Sequence, residues 1–205
     1  MKEESGFTKV INSYLDKLKE FHLETLAIKH DLELTPNGKQ LIVPFFGKEY
    51  FFDKEGVKLN NEPADWVETI IIFNYLLSPG GFLKLEPWKD FSEFPGARFY
   101  KPAFIRDVEK PLGDLVPQII TNKEMVMNEF MAEITDPIAG ANLALIFHPF
   151  PKVRIFALLY KEDEEFPASS RVLYSNNADQ FLPTECLADM AEHWVRKLKD
   201  FLKVK

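Results

Sequence analysis

The sequence predicts an α+β fold with a largely antiparallel sheet. Amphipathic helical stripes stand near both ends of the chain. Glycine-bearing turns divide short apolar strands after the first stripe. A pair of strongly apolar strands joined by a short proline turn precedes the last one. Helices flanking strands that are linked by hairpins rather than crossovers give an α+β arrangement, not a parallel α/β one.

The first stripe is Phe7, Val10, Ile11, Tyr14, Leu15 and Leu18, apolar at three- and four-residue spacing with Lys and Asp between. Asn37-Gly38 and Gly47-Lys48 read as two-residue hairpin connections, which split 31–53 into a three-strand meander. Pro44 falls in the middle strand and lacks an N–H, so a bulge or an open ladder is expected there. Pro63 and Asp65 open a central helix in which Glu68 is placed to complete a capping box. Its body, 70–77, is apolar almost all round, as in a buried helix, and Ser78-Pro79-Gly80-Gly81 ends it.

Residues 84–120 read as irregular, rich in aromatics and prolines, and 123–133 as a further helix. Leu143–His148 and Val153–Tyr160 read as strands around a Pro149/Pro151 turn, apolar enough to be covered on both faces. Arg171–Tyr174 reads as a third. Leu187, Met190, Ala191, Trp194, Val195, Leu198, Phe201 and Leu202 form the last helical stripe. Lys197, Lys199, Lys203 and Lys205 collect towards its C-terminal end, where the helix dipole favours them.

Composition narrows the function. With 205 residues, 46% of them hydrophobic and 19 of them Phe, the chain can bury one core, and a single domain over 1–205 is expected. A formal charge of −7 argues against a nucleic-acid partner. No basic start followed by an apolar stretch marks a signal peptide, and the apolar runs are far short of the ~20 residues of a membrane span. A cytoplasmic location is therefore expected, and the single Cys186 suits a reducing compartment.

Three groups of residues could carry chemistry. In Trp88–Tyr100, the turn Phe94-Pro95-Gly96-Ala97 folds Trp88 and Phe91 back towards Phe99 and Tyr100. Arg98 is then expected among aromatic faces, either stacked on a ring or clamping a small anion with its planar fork. Trp88, Arg98 and Tyr100 are the ligand-binding candidates. In 162–165, Asp163 and Glu165 fall on one side of an extended chain, and Glu185 in the first turn of the last helix could meet them across a divalent-cation site, with His148 at a strand end as a further ligand. The plain alternatives are a solvated acidic turn and a carboxylate that complements the helix dipole. Cys186 stands at a helix start without a legible histidine partner. No zinc spacing, phosphate loop or dinucleotide glycine motif is present.

Three segments together resemble domain-of-unknown-function family 3786, which is found mostly in anaerobic bacteria and archaea. They are Trp88–Pro102, Asp163–Ala168 running into Arg171–Tyr174, and Leu182–Glu185; Pro44–Tyr50 and Tyr75-Leu76-Leu77 are also similar. The resemblance implies a setting in anaerobic metabolism. Some members carry a four-cysteine iron–sulfur domain of the kind found in corrinoid one-carbon proteins, which this chain lacks. It assigns no catalytic residue and no cofactor. The leading expectation is a non-catalytic module that binds a small anionic ligand or a protein partner through Trp88–Tyr100. The alternative is a metal-assisted enzyme using Asp163, Glu165 and Glu185. Oligomeric state is left open.

Overall fold

The computed structural model describes residues 6–203. Met1–Ser5, Val204 and Lys205 lie outside the described residues, as does the side chain of Phe7. Helix α1 (Gly6–Leu18) buries Leu15 and Leu18, as its stripe requires, and packs on the central helix. Helix α2 (Leu23–His30) follows, a short element that the sequence pattern did not reveal. Asp31 ends it in a left-handed conformation.

The first sheet is a five-strand meander in chain order, all antiparallel: β1 (Glu33–Leu34), β2 (Leu41–Phe45), β3 (Lys48–Asp53), β4 (Gly56–Leu59) and β5 (Glu62–Pro63). Two expectations are corrected here and a third is decided. The Asn37-Gly38 connection spans six residues, from Thr35 to Gln40, because Thr35 and Asn37 build a hydrogen-bonded loop of their own. The β2–β3 tip is Phe46-Gly47, and Lys48 already belongs to β3. Finally, of the two forms expected at Pro44 the bulge is absent, since Pro44 pairs with Glu49 in register, and the ladder is open instead on its β1 side. With Phe45 and Lys48 closing a two-residue loop as a hydrogen-bonded pair, Pro44 falls in a non-hydrogen-bonded pair. Its missing N–H points towards β1, which is too short to reach it.

Helix α3 (Trp66–Leu77) starts at Asp65, whose carboxylate accepts from the Val67 N–H at 2.9 Å. It is buried as predicted, but Glu68 does not complete a capping box; it turns inward to the last helix. Residues 84–120 are far from irregular. After β6 (Lys89–Asp90) come two 3₁₀ turns, α4 (Lys101–Phe104), a π-helical turn at Ile105–Glu109, α5 (Lys110–Asp114) and α6 (Val116–Thr121). Pro102, Pro111 and Pro117 look like helix breakers. Pro102 and Pro117 stand in the first turn of their segments, where the missing N–H is not needed, and Pro111 follows the π-helical turn within one continuous helical run.

Helix α7 (Lys123–Phe130) is shorter than predicted, because Met131 turns left-handed and β7 (Glu133–Thr135) begins. The second sheet runs β6-β10-β9-β8-β7, again antiparallel, with β8 (Leu143–Phe150), β9 (Val153–Tyr160) and β10 (Ser169–Tyr174). Pro149 lies inside β8 rather than in the turn. The β8–β9 register slips by one residue between Phe147 and Phe150, which makes a bulge at His148-Pro149. Helix α8 (Thr184–Lys203) closes the fold with its predicted stripe buried.

One face of the second sheet joins the first sheet, α3 and α8 in a continuous core. Its other face carries a smaller cluster of Ala144, Phe156, Leu158 and Leu173, capped by Trp88 rather than by a helix. The sheets meet where the Phe46 N–H donates to the Pro149 carbonyl at 3.3 Å. Trp194 fills the joint, parallel to Phe46 at 6.1 Å and tilted on Phe147 at 4.5 Å. Among the described residues no helix is long and apolar enough to cross a membrane.

His30 is fully buried at the end of α2, and its Nε2–H donates to the Leu76 carbonyl at 3.0 Å. Burial, reinforced by Lys29 and Lys152 and opposed by the Leu76 bond and Asp31, lowers its pKa from 6.5 to about 4. A buried base with a depressed pKa contributes stability that is complete above pH 6.5 and lost as pH falls towards 4, where the unfolded chain takes up the proton first. The loss amounts to roughly 3 kcal/mol. His30→Gln, which can keep a donor near Leu76 but does not titrate, is expected to flatten the pH dependence of the melting temperature between pH 6.5 and 4. An unchanged slope would refute this role.

Candidate functional site

The sequence-predicted residues are positioned as follows. Phe94–Ala97 forms the expected turn, with Gly96 at φ 76° and the Ala97 N–H on the Phe94 carbonyl. Trp88 packs on Phe156 at 4.8 Å, and Phe91 stacks on Phe104 at 4.3 Å. Arg98 is not among aromatic faces. It is exposed and without a hydrogen bond, ion pair or ring contact among the described residues, while Lys89 stands over Phe94 and Lys101 over Phe104. The turn points residue 98 outward and buries its neighbour Ala97 instead. Tyr100 donates to Glu185 at 3.1 Å on the surface.

That bond occupies Glu185 away from the acidic turn. Asp163 folds back on its own loop, accepting from the Glu165 and Phe166 N–H groups at 2.9 and 2.8 Å, and these bonds hold its carboxyl below the usual range. Glu165 is exposed. The structure does not assemble Asp163, Glu165 and Glu185, and no group of three potential metal ligands converges among the described residues. His148 faces a different cavity, described below. Cys186 is buried, and burial pushes its thiol well above the ordinary value, so it stays protonated.

The segments that carry the family resemblance form a brace. Asp90 accepts from the Ser92 N–H and hydroxyl, from Lys101 at 3.0 Å, and pairs with Arg171 at 3.5 Å. Lys101 also reaches the half-hidden Glu109 at 3.2 Å, which accepts from the Val172 N–H. These charges tie the 88–102 segment and the helical run after it to strand β10. Such a brace explains the segment without a ligand.

An aromatic-walled concavity lies elsewhere. A cavity of about 350 Å³ opens between the β2–β3 hairpin, the end of α7 and the last turns of α8. Phe45, Phe46, Phe130, Trp194 and Phe201 wall it. Its polar end is Glu68 and His193, 4% and 3% exposed. The guanidinium of Arg196 has only donors and lies 2.8 Å from His193 Nδ1, so Nδ1 accepts. The ring proton is therefore on Nε2 and is donated to Glu68 Oε1 at 3.0 Å. Lys197 reaches the same oxygen at 3.1 Å. Burial alone would raise the Glu68 pKa; the bonds from His193 and Lys197 outweigh it and hold the carboxyl at about 2. Tyr50, also on the wall, is kept in its phenol form by burial and by the Glu68 charge. At the mouth Lys48, loosely paired with Glu129 at 3.7 Å, and Lys197 face Asp200.

Sequence reading missed this constellation. Two signals pointed to it: a carboxylate in the first turn of a helix too apolar to have a solvent face, and a histidine flanking an otherwise apolar stripe. No curated protein and no solved structure matches the chain. A family model described as Domain of unknown function (DUF3786) matches residues 22–197, and the chain belongs to that family.

Proposed function

We propose that this protein is a ligand-binding module without catalysis of its own, and that its ligand is a small molecule with a flat apolar or aromatic body held in the cavity under the β2–β3 hairpin. The observation that carries the reading is the form of the site, an aromatic-walled concavity of small-molecule size that ends on a fixed polar pair. Rings on several sides favour a flat guest through stacked and edge-on contacts. The polar end is built to hold still. Both nitrogens of His193 are engaged, and Glu68 is ionised and doubly bonded on one oxygen. A base committed in this way suits recognition better than proton transfer. The same reading places the module in the cytoplasm of an anaerobe. Free, buried Cys186 supports the first part, and the family resemblance the second.

The test is a thermal-shift and ligand-observed NMR screen of ring-bearing small molecules, in neutral, carboxylate and amine forms, on wild type and Phe201→Ser. Phe201 is a half-buried wall residue, so its loss spares most of the core. Hits are expected to bind at least tenfold more weakly to the variant, in line with the ~1–3 kcal/mol that a buried apolar contact contributes. A screen without hits, or hits indifferent to the substitution, would remove the proposal.

A further inference from the structure

A second cavity, of about 500 Å³, lies on the opposite side of the same hairpin, with Gly47, Lys48, Glu133, His148, Pro151 and Arg154 on its walls. We propose that Arg154 and His148 form a binding site there for a small oxyanion, the phosphate or carboxylate group of a metabolite.

The argument begins with how Arg154 is held. Its Nη1 donates to three carbonyls of the β8–β9 turn, those of Phe150, Pro151 and Val153, at 2.7, 3.1 and 2.9 Å. The guanidinium is thus bolted to the turn by one nitrogen. Its Nε and Nη2 have no hydrogen-bond partner among the described residues. The side chain is half-buried, and no carboxylate lies within ion-pair distance of it. Glu133 acts on this charge only from beyond ion-pair distance. A partly desolvated cation with no bonded carboxylate, presenting an unused edge of its fork to a cavity, is matched by a planar or tetrahedral oxyanion.

His148 supplies the second point. It precedes Pro149 in the β8 bulge, and bulges re-aim side chains. Its Nε2 is buried and makes no hydrogen bond. Glu133 Oε1 is 3.4 Å away, outside bonding geometry, on a side chain that is 68% exposed and free to swing out. Burial first, and then the Arg154 charge, lower the histidine's pKa against the opposing pull of Glu133. An anion between the two would offset the Arg154 charge, as Glu133 does in part, and accept a hydrogen bond from Nε2–H. Lys48, with its side chain 48% exposed, adds positive charge at the rim, while Glu133 and Glu49 are the carboxylates such an anion must displace.

The experiment titrates the full chain with inorganic phosphate and with acetate, using chloride at equal ionic strength as control, and follows the His148 imidazole by NMR together with the melting temperature. Phosphate or acetate is expected to raise the His148 pKa and the melting temperature beyond the chloride control. Arg154→Lys and His148→Gln should each weaken the effect at least tenfold. A response to phosphate alone assigns a phosphate group, to acetate alone a carboxylate, and to both a general oxyanion site. Arg154→Lys gives up the turn carbonyls and can destabilise the chain; His148→Gln leaves them in place and keeps the test decisive. The inference is overturned if neither anion exceeds chloride, or if the response survives His148→Gln.

Discussion

Glu68→Ala is expected to destabilise the protein by about 2–4 kcal/mol, the cost of leaving a buried donor without its acceptor together with the void left by the side chain. The carboxylate is the common acceptor for His193 and Lys197, and it is 4% exposed. Its removal leaves the His193 Nε2–H buried without an acceptor and opens a void where α3 meets α8. Chemical denaturation of wild type and variant measures the loss. Glu68→Gln should cost less, because its amide oxygen still accepts from His193 while the attraction to Lys197 is gone. The same carboxylate sets an acid limit. Its folded pKa, about 2, is below the ordinary 4.5, so its contribution is complete above pH 4.5 and is lost as pH falls towards 2. That window lies below the one set by His30, so the two losses should appear in sequence on acidification. A Glu68→Ala protein as stable as wild type would show that the pair is ornamental.

Gly47→Ala should cost about 2–5 kcal/mol, the sum of a left-handed backbone penalty of about 1–2 kcal/mol and an overpacking penalty of about 1–3 kcal/mol. Gly47 has φ +80°, and a Cβ there would come within 2.8 Å of Met131 Cγ and 2.9 Å of the Glu129 carbonyl. The Met131 side chain can move; the backbone oxygen of α7 cannot without shifting the helix end. Gly38→Ala is the matched control. It has φ +66° with open space around it, so only the backbone penalty applies. Equal losses at the two sites, by denaturant titration, would mean that the hairpin tip is not wedged against α7. The Gly47 substitution should also impair both cavities, because the tip is the wall between them.

The elements legible in the sequence were those with a single periodicity and one solvent face. The α8 stripe from Leu187 to Leu202 is one; the Ile155–Tyr160 run, buried on both faces, was legible instead from its unbroken apolar content. The short strands β4 and β5 and the eight-residue α2 were not, since two to four strand residues or barely two helical turns cannot display a period. Pro102, Pro111 and Pro117 concealed a helical run because a proline reads as a breaker unless the position of the helix start is known. Glu68 misled for a related reason: the third position of a helix satisfies the capping pattern whether the side chain turns back to the cap or inward. His148 was marked as a strand-end residue, but the bulge that aims it arises from a one-residue slip between two strands, which neither strand's sequence reveals. The acidic turn and Arg98 drew attention by composition. Which side chains fold back on their own loop is decided by local backbone geometry, and which stand alone by the absence of neighbours from distant parts of the chain.

Helix α8 follows every other described element in the chain, yet Trp194 supports the tip of the hairpin formed by residues 41–53, and His193 is the partner of Glu68. A ribosome delivers these parts in the opposite order. While α8 is still within the exit tunnel, the meander has already emerged with Phe45, Phe46 and Tyr50 uncovered, and Glu68 lacks its counter-group. Local hairpins can form at that stage, but the joint between the sheets cannot. The nascent protein therefore presents a sticky aromatic surface until α8 emerges, a natural target for a holding chaperone, and it acquires the cavity walled by Trp194 and Phe201 only when that helix docks.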